Sequence, residues 1–152
     1  MPEFEKVIAS PLGELTLESD GECVTALRFG NWFRGGRSCA VLEQAAAELE
    51  EYFARDRHEF TVPVKAEGTA FQRSVWTQLR EIPYGKTVSY RTIAERLGKS
   101  NACRAVGGAN HRNPVPILIP CHRVVGKNGT LTGYAGGLRI KEYLLRLERI
   151  ES

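Results

Sequence analysis

The sequence has no apolar run of membrane-spanning length, no internal repeat and no low-complexity tract. Its first residues, MPEFEKVIAS, include acidic side chains and lack the basic start and long apolar core of a secretory signal. We therefore expect a folded protein without a cleaved signal or a membrane anchor. Its expected location is the cytoplasm, or the nucleus if the source is eukaryotic.

Cysteines are few and far apart. The four stand at positions 23, 39, 103 and 121, so no two form a CxxC pair, and a zinc finger or ribbon is poorly supported. The three histidines could still join them in a mixed site assembled by the fold. The spacing argues against such a site, and we predict no bound metal and no cofactor. Free thiols, mostly buried as small apolar groups, are expected in a reducing compartment.

Acidic and basic residues are segregated along the chain. Residues 1–68 carry 7 Lys and Arg against 13 Asp and Glu, a net charge of −6, whereas residues 69–152 carry 14 against 5, a net charge of +9. A half that basic suggests a polyanionic partner such as nucleic acid, because Lys and Arg gain from phosphate contacts and counterion release. A merely basic surface, or attraction between the two halves, would account for the same pattern.

The first half has the pattern of an antiparallel meander followed by a helix. The segments 4–10, 13–19 and 23–29 are short, rich in alternating apolar residues and separated by turn signals. From Ser38 onward apolar residues recur at helical spacing, and 58–64 has the composition of a further strand. The predicted fold class is α/β (α+β), with a small antiparallel-sheet lobe followed by a mainly helical lobe.

The helices of the second half are indicated by their capping residues. Thr69 and Gln72 have the spacing of a capping box. Ser89 can cap a later helix that Gly98 closes, and Ser100 can cap the helix after that. Two short helices joined by a tight glycine-containing turn form a helix-turn-helix pattern, although many helical hairpins with this pattern bind nothing.

Two adjacent glycines, Gly107 and Gly108, stand inside the second of these helices, where each costs roughly 1 kcal/mol relative to alanine. Their presence indicates that something requires a small surface there. Close approach to a nucleic-acid backbone, with Arg104 one turn earlier pointing at the duplex, is one explanation. Tight packing against another helix explains the spacing equally well.

The last helix carries an acidic residue on its apolar side. Ile140, Leu144 and Leu147 form the apolar stripe, and Glu148 lies on the same side at about 100° per residue. A carboxylate that faces the interior needs a hydrogen-bonding or charged partner, for which a histidine is suited. The alternative is a glutamate at the edge of the stripe that reaches water.

Cys121 and His122 are adjacent, directly after the Pro-interrupted aliphatic segment NPVPILIP at 113–120. We expect that segment to run extended and buried and so to fix the position of Cys121. His122 and Arg123 could favour the thiolate. Neighbours in an extended chain tend to point to opposite sides, so a bridging water or a tight turn would be needed. The chemistry alone leaves a catalytic and a structural cysteine about equal.

Two long segments carry a family resemblance. FQRSVWTQLREIPYGKTVSYRTIAERLG and RAVGGANHRNPVPILIPCHRVVGKNGTLTGYAGGLRIKEYLLRLE resemble the O6-alkylguanine-DNA alkyltransferases, also called methylated-DNA–protein-cysteine methyltransferases, over nearly all of residues 69–148. The first 68 residues are similar to that family mainly at SPLGELTL. The resemblance implies an N-terminal ribonuclease H-like domain, residues 1–68, and a C-terminal DNA-binding and alkyl-acceptor domain of winged-helix or helix-turn-helix type, residues 69–152.

The resemblance also implies a self-inactivating transferase. Cys121 matches the residue that accepts the alkyl group of O6-alkylguanine in one displacement and keeps it as a thioether. His122 matches the base that acts through a water, and Glu148 the carboxylate that orients this base. Asn113 matches the asparagine that braces the active-site turn, and Tyr90 the tyrosine that assists rotation of the nucleotide and donates a hydrogen bond near the leaving base.

The implied partner is double-stranded DNA that contains O6-alkylguanine, contacted in its minor groove. Arg104 matches the arginine that fills the gap left when the damaged nucleotide leaves the stack. The other residues with implied DNA contacts are Tyr90, Arg91, Ala102, Ala105, Gly107, Gly108 and Arg123. The implied walls of the base pocket are Tyr134, Val124 and Ala135, the last of which stands where some relatives have a serine.

The sequence departs from the family pattern in places, and two alternative functions are considered. Some relatives hold a structural zinc in the N-terminal lobe, but Cys23 and Cys39 do not fall in that pattern, so no metal is predicted. We expect a monomer with no membrane partner. One alternative is an alkyltransferase-like protein that binds the lesion without accepting the group, against which the intact PCHRV argues. A more distant one is a Cys-His hydrolase, which would need no basic lobe.

Overall fold

The structure is a computed structural model of the chain. It describes residues 3–129, 134 and 137–149, with Asn128 described for its backbone alone. No helix among these residues is long and apolar enough to cross a membrane.

The chain divides into two compact units. The first contains the residues up to Glu67 together with Pro114–Leu118, and the second contains Gly68–Asn113 and the residues from Ile119 onward. The segment Pro114–Leu118 therefore belongs to the first unit, although a division at residue 68 would place it in the C-terminal domain.

A three-stranded antiparallel sheet forms the frame of the first unit. Its strands are β1 (Phe4–Ile8), β2 (Leu15–Ser19) and β3 (Val24–Phe29), in that spatial order. Both pairs are antiparallel, as the meander pattern predicts. All five residues of β2 are buried, which fits its central position.

Helix α1 (Ala40–Phe53) packs against this sheet. Its buried residues include Glu48, whose carboxylate accepts hydrogen bonds from the backbone N–H groups of Thr61 and Val62 at 2.9 and 3.1 Å. Residues 58–64 are all described and contain no strand, so that prediction was wrong. The side chain of Glu48, rather than a neighbouring strand, satisfies backbone donors of this segment. Only an isolated bridge between Val24 and Val64 joins it to the sheet.

The second unit is mainly helical. The described helices are α2 (Ala70–Arg80), α3 (Tyr90–Arg96), α4 (Cys103–His111) and α5 (Leu138–Arg149). Two short strands, β4 (Val88–Ser89) and β5 (Val124–Val125), pair in parallel. A 3-10 turn, Cys121–Arg123, leads into β5. This mixture of a small sheet lobe and a helical lobe confirms the predicted fold class.

Most of the predicted helix starts are confirmed by their caps. The Thr69 side chain accepts a hydrogen bond from the Gln72 N–H at 3.1 Å, and the Gln72 side chain accepts one from the Thr69 N–H at 3.0 Å. Ser89 caps α3 through the Thr92 N–H at 3.1 Å. Gly98 follows α3 in a left-handed conformation, with φ +71°.

Ser100 does not cap α4, so that prediction was wrong. The N-cap is Ala102, which makes no side-chain capping bond. The Ala102 N–H donates to the Lys99 carbonyl at 2.8 Å, so the chain first completes a turn and the helix begins later than its serine suggests. Helices α3 and α4 pack together, and Trp76 of α2 fixes α4 by donating to the Ala109 carbonyl at 2.8 Å.

The segment NPVPILIP does not run extended. Ile117 has φ +74°, in the left-handed region that a β-branched residue rarely adopts, and the chain turns there. Val115 to Pro120 are nevertheless buried, as the aliphatic composition predicts. Cys121 is therefore presented by a turn that follows another turn, not by the end of a strand.

The capping box of α2 gives a test of the local fold. Thr69→Ala removes the side-chain acceptor of the Gln72 N–H and leaves only the reciprocal bond from the backbone N–H of residue 69, so the free energy of unfolding should fall by about 1 kcal/mol in urea denaturation. Thr77→Ala is the matched control, because Thr77 is exposed in the same helix and its hydroxyl bonds only to a carbonyl one turn earlier among the contacts described. Its effect should stay within about 0.5 kcal/mol. Equal losses in the two variants would contradict a capping contribution.

Candidate active site

Cys121 is the first residue of the 3-10 turn. The Cys121 N–H donates to the Ile119 carbonyl at 2.7 Å, and the Arg123 N–H donates to the Pro120 carbonyl at 3.0 Å. The backbone that carries the thiol is therefore held in place by hydrogen bonds. Because the chain turns here, Cys121 and His122 are not held on opposite sides as neighbours in an extended strand would be.

Two buried asparagines hold the backbone around the cysteine. The Asn113 side-chain amide donates to the Ile119 carbonyl at 2.9 Å, and the Asn110 amide donates to the Cys121 carbonyl at 3.3 Å. Sequence reasoning found Asn113 through the family resemblance and missed Asn110. Asn110 lies near the C-terminal end of α4 and Asn113 just beyond it, so a polar side chain close to the first asparagine was the available signal.

The thiol of Cys121 is buried, and its surroundings act on its pKa in opposite directions. Burial raises the pKa of Cys121, because an apolar environment disfavours the thiolate. Hydrogen bonds with the side chains of Asn113 and Tyr134, and the positive charge of Lys141, lower it in part. The net effect is a raised pKa, so the resting group is a thiol with polar and positive neighbours arranged around it.

Lys141 is a buried lysine on α5 that sequence reasoning missed. Its ammonium donates to the Val124 carbonyl at 2.7 Å and lies 5.9 Å from the centroid of the Tyr90 ring. Burial lowers the pKa of Lys141, and the charge of Cys121 partly opposes that shift. The predicted stripe used Ile140, which is only half-buried; Lys141 lies three residues before Leu144 and occupies the interior instead.

Glu148 is buried and accepts hydrogen bonds from separate segments. His122 Nε2 lies 2.7 Å from its Oε2, and Arg123 donates through Nε to Oε1 at 2.9 Å and through Nη2 to Oε2 at 3.0 Å. The Gly85 N–H donates to Oε1 at 3.1 Å. Glu148 therefore faces the interior, and the alternative of a glutamate that reaches water is excluded.

The ionisation of this cluster follows from its contacts. Burial alone would raise the pKa of Glu148, but the hydrogen bonds of His122 and Arg123 and the adjacent positive charge outweigh it and hold this pKa well below its usual range. Burial lowers the pKa of His122, and Glu148 opposes that shift while Arg123 and Lys141 reinforce it. His122 Nδ1 is buried and has no hydrogen-bond partner within the described part of the chain.

The structure corrects the assignment of Arg123 to DNA contact. Its side chain is buried, and its guanidinium is used inside the protein by Glu148 and by the Ile82 carbonyl, to which Nη1 donates at 2.7 Å. A phosphate could reach this group only after both contacts were broken. Nothing in the sequence around Arg123, which directly follows Cys121 and His122, indicated this internal role.

The other residues with implied DNA contacts lie on α3 and α4. Arg104, Ala105 and Gly108 are exposed, and Ala102 and Gly107 are half-buried. A Cβ atom on Gly108 would meet no described atom within 4 Å, and one on Gly107 would lie 4.0 Å from the Tyr90 ring. Packing among the described residues therefore does not require either glycine, which favours close approach of an outside partner over tight helix packing.

The α3 residues of this set differ in exposure. Tyr90, the first residue of α3, is half-buried between Gly107 and Lys141. Arg91 is exposed and lies 3.6 Å from Glu95 in an ion pair one turn along the helix.

The implied base-pocket residues are only partly described. Tyr134 is buried, and its side chain lowers the pKa of Cys121. Val124 is fully buried in β5. Ala135 lies outside the described residues. Within the described ranges, no cluster of three or more His, Cys, Asp or Glu side chains could hold a metal ion.

The fold and the site together define a helix-turn-helix protein with a buried cysteine, histidine and glutamate beside its second helix. Residues 4–66 match the family described as 6-O-methylguanine DNA methyltransferase, ribonuclease-like domain, and residues 70–150 match 6-O-methylguanine DNA methyltransferase, DNA binding domain. The chain belongs to the 6-O-methylguanine DNA methyltransferase family.

Individual relatives match over nearly the whole chain. A methylated-DNA–protein-cysteine methyltransferase of Methanosarcina acetivorans is 46% identical, over 95% of this chain and 97% of the relative. A constitutive one of Bacillus subtilis is 43% identical, over 93% and 92%. Among solved structures, Mycobacterium tuberculosis OGT in complex with DNA has a TM-score of 0.91 and 43% identity, over 98% of this chain and 94% of the other.

The buried carboxylate gives a test with a matched control on the same helix. Glu148→Ala leaves the Arg123 charge buried without its partner, so the free energy of unfolding should fall by about 3–5 kcal/mol. Glu142→Ala removes an exposed carboxylate that pairs with Arg146 at 2.7 Å and should cost about 0.3–0.5 kcal/mol. Chemical denaturation at neutral pH measures both. A loss for Glu148→Ala no larger than that of the control would show that the buried cluster does not stabilise the fold.

Proposed function

We propose that this protein repairs DNA by direct reversal: it binds duplex DNA that contains O6-alkylguanine, rotates the nucleotide out of the stack and transfers the alkyl group irreversibly to Cys121. The observation that carries the proposal is a buried thiol on a hydrogen-bonded turn, followed directly by a histidine that Glu148 holds. The names of the relatives and the DNA complex of the Mycobacterium tuberculosis protein support it.

The transfer is a single displacement. The sulfur of Cys121 attacks the alkyl carbon, an S–C bond forms as the C–O6 bond breaks, and the bonding electrons pass to the guanine. His122 takes the thiol proton at Nδ1 through a water, while Glu148 holds the opposite nitrogen, Nε2. The proton reaches the leaving guanine, to which Tyr90 donates a hydrogen bond. The thioether that remains does not hydrolyse, so each molecule reacts once.

Lys141 and Asn113 supply the electrostatic part of this reaction. In a buried site a positive charge and an amide donor stabilise a developing thiolate far more than they would in water. Both lower the pKa of Cys121 against the effect of burial. We assign them to stabilisation of the thiolate at the moment when its proton moves to His122.

DNA is held by the outer face of α3 and α4. The exposed Arg104 fills the place of the rotated nucleotide, and the small face formed by Ala105, Gly107 and Gly108 lies in the minor groove. The +9 net charge of residues 69–152 supplies the attraction to phosphate. Ala102 and Arg91 flank this face, and Tyr134 and Val124 line the pocket that takes the base.

The domain division and the location complete the proposal. Residues 1–68 act as the ribonuclease H-like domain and residues 69–152 as the DNA-binding and alkyl-acceptor domain, which the two family matches support. The protein acts as a monomer, without a cofactor, in the compartment that holds its DNA substrate, which is the cytoplasm in a prokaryote.

Mass spectrometry tests the transfer. The protein is incubated with duplex DNA that carries one O6-methylguanine, and one methyl group is expected on the peptide that contains Cys121. Cys121→Ser should bind the duplex and acquire no methyl group. Cys103→Ser is the matched control, because Cys103 lies on α4 outside the proposed centre, and it should react like the unmodified protein. The proposal fails if the Cys121 peptide stays unmethylated.

Arg104 is tested by comparing two substrates. Arg104→Ala should slow reaction with duplex O6-methylguanine by roughly tenfold or more, because the inserted side chain offsets part of an unstacking cost of a few kcal/mol. Reaction with free O6-benzylguanine, which needs no rotation out of a duplex, should change little. Arg146→Ala, exposed on α5, is the charge-matched control and should leave both rates near those of the unmodified protein. Equal losses on both substrates would contradict the role of Arg104 in the duplex.

A further inference from the structure

Arg123 is a buried arginine beside the reactive centre that the proposed transfer chemistry does not use. Its planar guanidinium spans both oxygens of Glu148, at 2.9 and 3.0 Å, and also donates to the Ile82 carbonyl at 2.7 Å. The guanidinium carbon lies 5.7 Å from the centroid of the Tyr84 ring. A lysine could not make this two-pronged contact with a carboxylate, because its ammonium is a single point of charge.

Glu148 is shared between Arg123 and the histidine. Its Oε2 lies 2.7 Å from His122 Nε2 and 3.0 Å from Arg123 Nη2. A buried carboxylate with histidine as its sole charged partner would draw a second proton onto the ring, because an ion pair is favoured over an isolated charge. A doubly protonated ring cannot accept the Cys121 proton. The permanent charge of Arg123 already balances the carboxylate, so the ring can stay neutral.

The charged and titratable groups near the His122 ring come from α5 and from the 3-10 turn. Helix α5 contributes Glu148 and Lys141, and the 3-10 turn contributes Arg123 and Cys121. Helix α2 also packs against the turn, and its buried residues, Val75, Trp76 and Leu79, carry no charge. Glu148 raises the pKa of His122, whereas burial, Arg123 and Lys141 lower it. Of these positive groups, Arg123 is the one that contacts Glu148, the carboxylate to which His122 is hydrogen-bonded, whereas Lys141 donates to the Val124 carbonyl.

We propose that Arg123 is a positioning residue of the alkyl-transfer reaction, which fixes Glu148 as an ionised acceptor, balances its charge and thereby keeps His122 neutral and ready to take the Cys121 proton. This inference rests on the proposed function. It gives Arg123 an internal task in place of a contact with DNA. It also explains the use of arginine, since one flat group must reach the carboxylate and the Ile82 carbonyl together.

A charge-balance cycle of three variants tests the proposal. The rate of methyl transfer to Cys121 from duplex DNA is measured from about pH 5 to pH 9, and His122 is titrated by NMR in the same proteins without DNA. Arg123→Gln removes the positive charge, so the acid limb of the rate profile and the His122 titration should move up by about one pH unit. Glu148→Gln removes the negative charge, so both should move down. Arg123→Gln combined with Glu148→Gln restores the charge balance, so both should return toward the unmodified protein.

Two controls separate this role from a structural one. Arg146→Gln, on the exposed side of α5, should leave the acid limb in place, and Arg123→Lys should keep the acid limb while it lowers the rate at every pH. If Arg123→Gln does not fold, the double variant is compared with Glu148→Gln, from which it differs only at position 123. The acid limb of the double variant should then lie at the higher pH. For Arg123→Gln, a rate loss that is equal at every pH, with an unshifted His122 titration, would overturn the positioning role.

The proposed function and the positioning role can fail separately. If the unmodified protein places no methyl group on Cys121 at any pH, the proposed function is wrong and the positioning role falls with it. If transfer is normal and the His122 titration ignores the charge at position 123, only the positioning role is wrong.

Discussion

The buried carboxylate of Glu148 is the constraint on which the rest of the second unit depends. A carboxylate inside a protein costs several kcal/mol unless charged and hydrogen-bonding groups surround it. Here those groups come from the 3-10 turn, through His122 and Arg123, and from the turn after α2, through the Gly85 N–H. Helix α5, the reactive turn and the segment after α2 therefore have one arrangement in which this charge is satisfied. The stability of the fold and the geometry of the reactive centre follow from the same contacts.

Helix α4 connects the proposed DNA-binding surface to the reactive centre. Its outer face carries the exposed Arg104 and the small residues, while its C-terminal end supplies Asn110, which holds the Cys121 carbonyl. Trp76 of α2, which is buried, fixes the helix through the Ala109 carbonyl. The helix proposed to lie against the duplex is thus the one that sets the backbone of the thiol. This is the rigid support that a displacement reaction needs, because misplacement of the nucleophile by about 1 Å can cost a hundredfold in rate.

The sequence predicted most of what depends on neighbours in the chain; the Ser100 cap and the extended course of 113–120 are exceptions. The three-strand meander, the capping box at Thr69 and the Ser89 cap were all read correctly because each is decided within a few residues. Strand 58–64 was predicted wrongly because a distant side chain, Glu48, takes its backbone donors. The same holds in the site: the burial of Glu148 follows from helical period, whereas the partner role of Arg123 depends on contacts that no spacing encodes, and the burial of Lys141 requires an acceptor outside its own helix, the Val124 carbonyl. The resemblance supplied the centre itself, which chemistry alone left undecided between a catalytic and a structural cysteine.

A raised thiol pKa is at first sight the wrong property for a nucleophile, since the thiolate is the reactive form. For an acceptor that reacts once, the property has a physical advantage. An exposed thiolate is open to oxidation and to any electrophile in solution, and each such event would consume the molecule. Burial keeps Cys121 protonated, while His122 Nδ1, held neutral by the balance between Arg123 and Glu148, provides a place for the proton once an alkyl carbon lies beside the sulfur. Lys141 then lowers the energy of the thiolate where no water competes for it. The reactive state is thus confined to the moment of transfer, which explains why the cysteine is buried and its activating groups are buried with it.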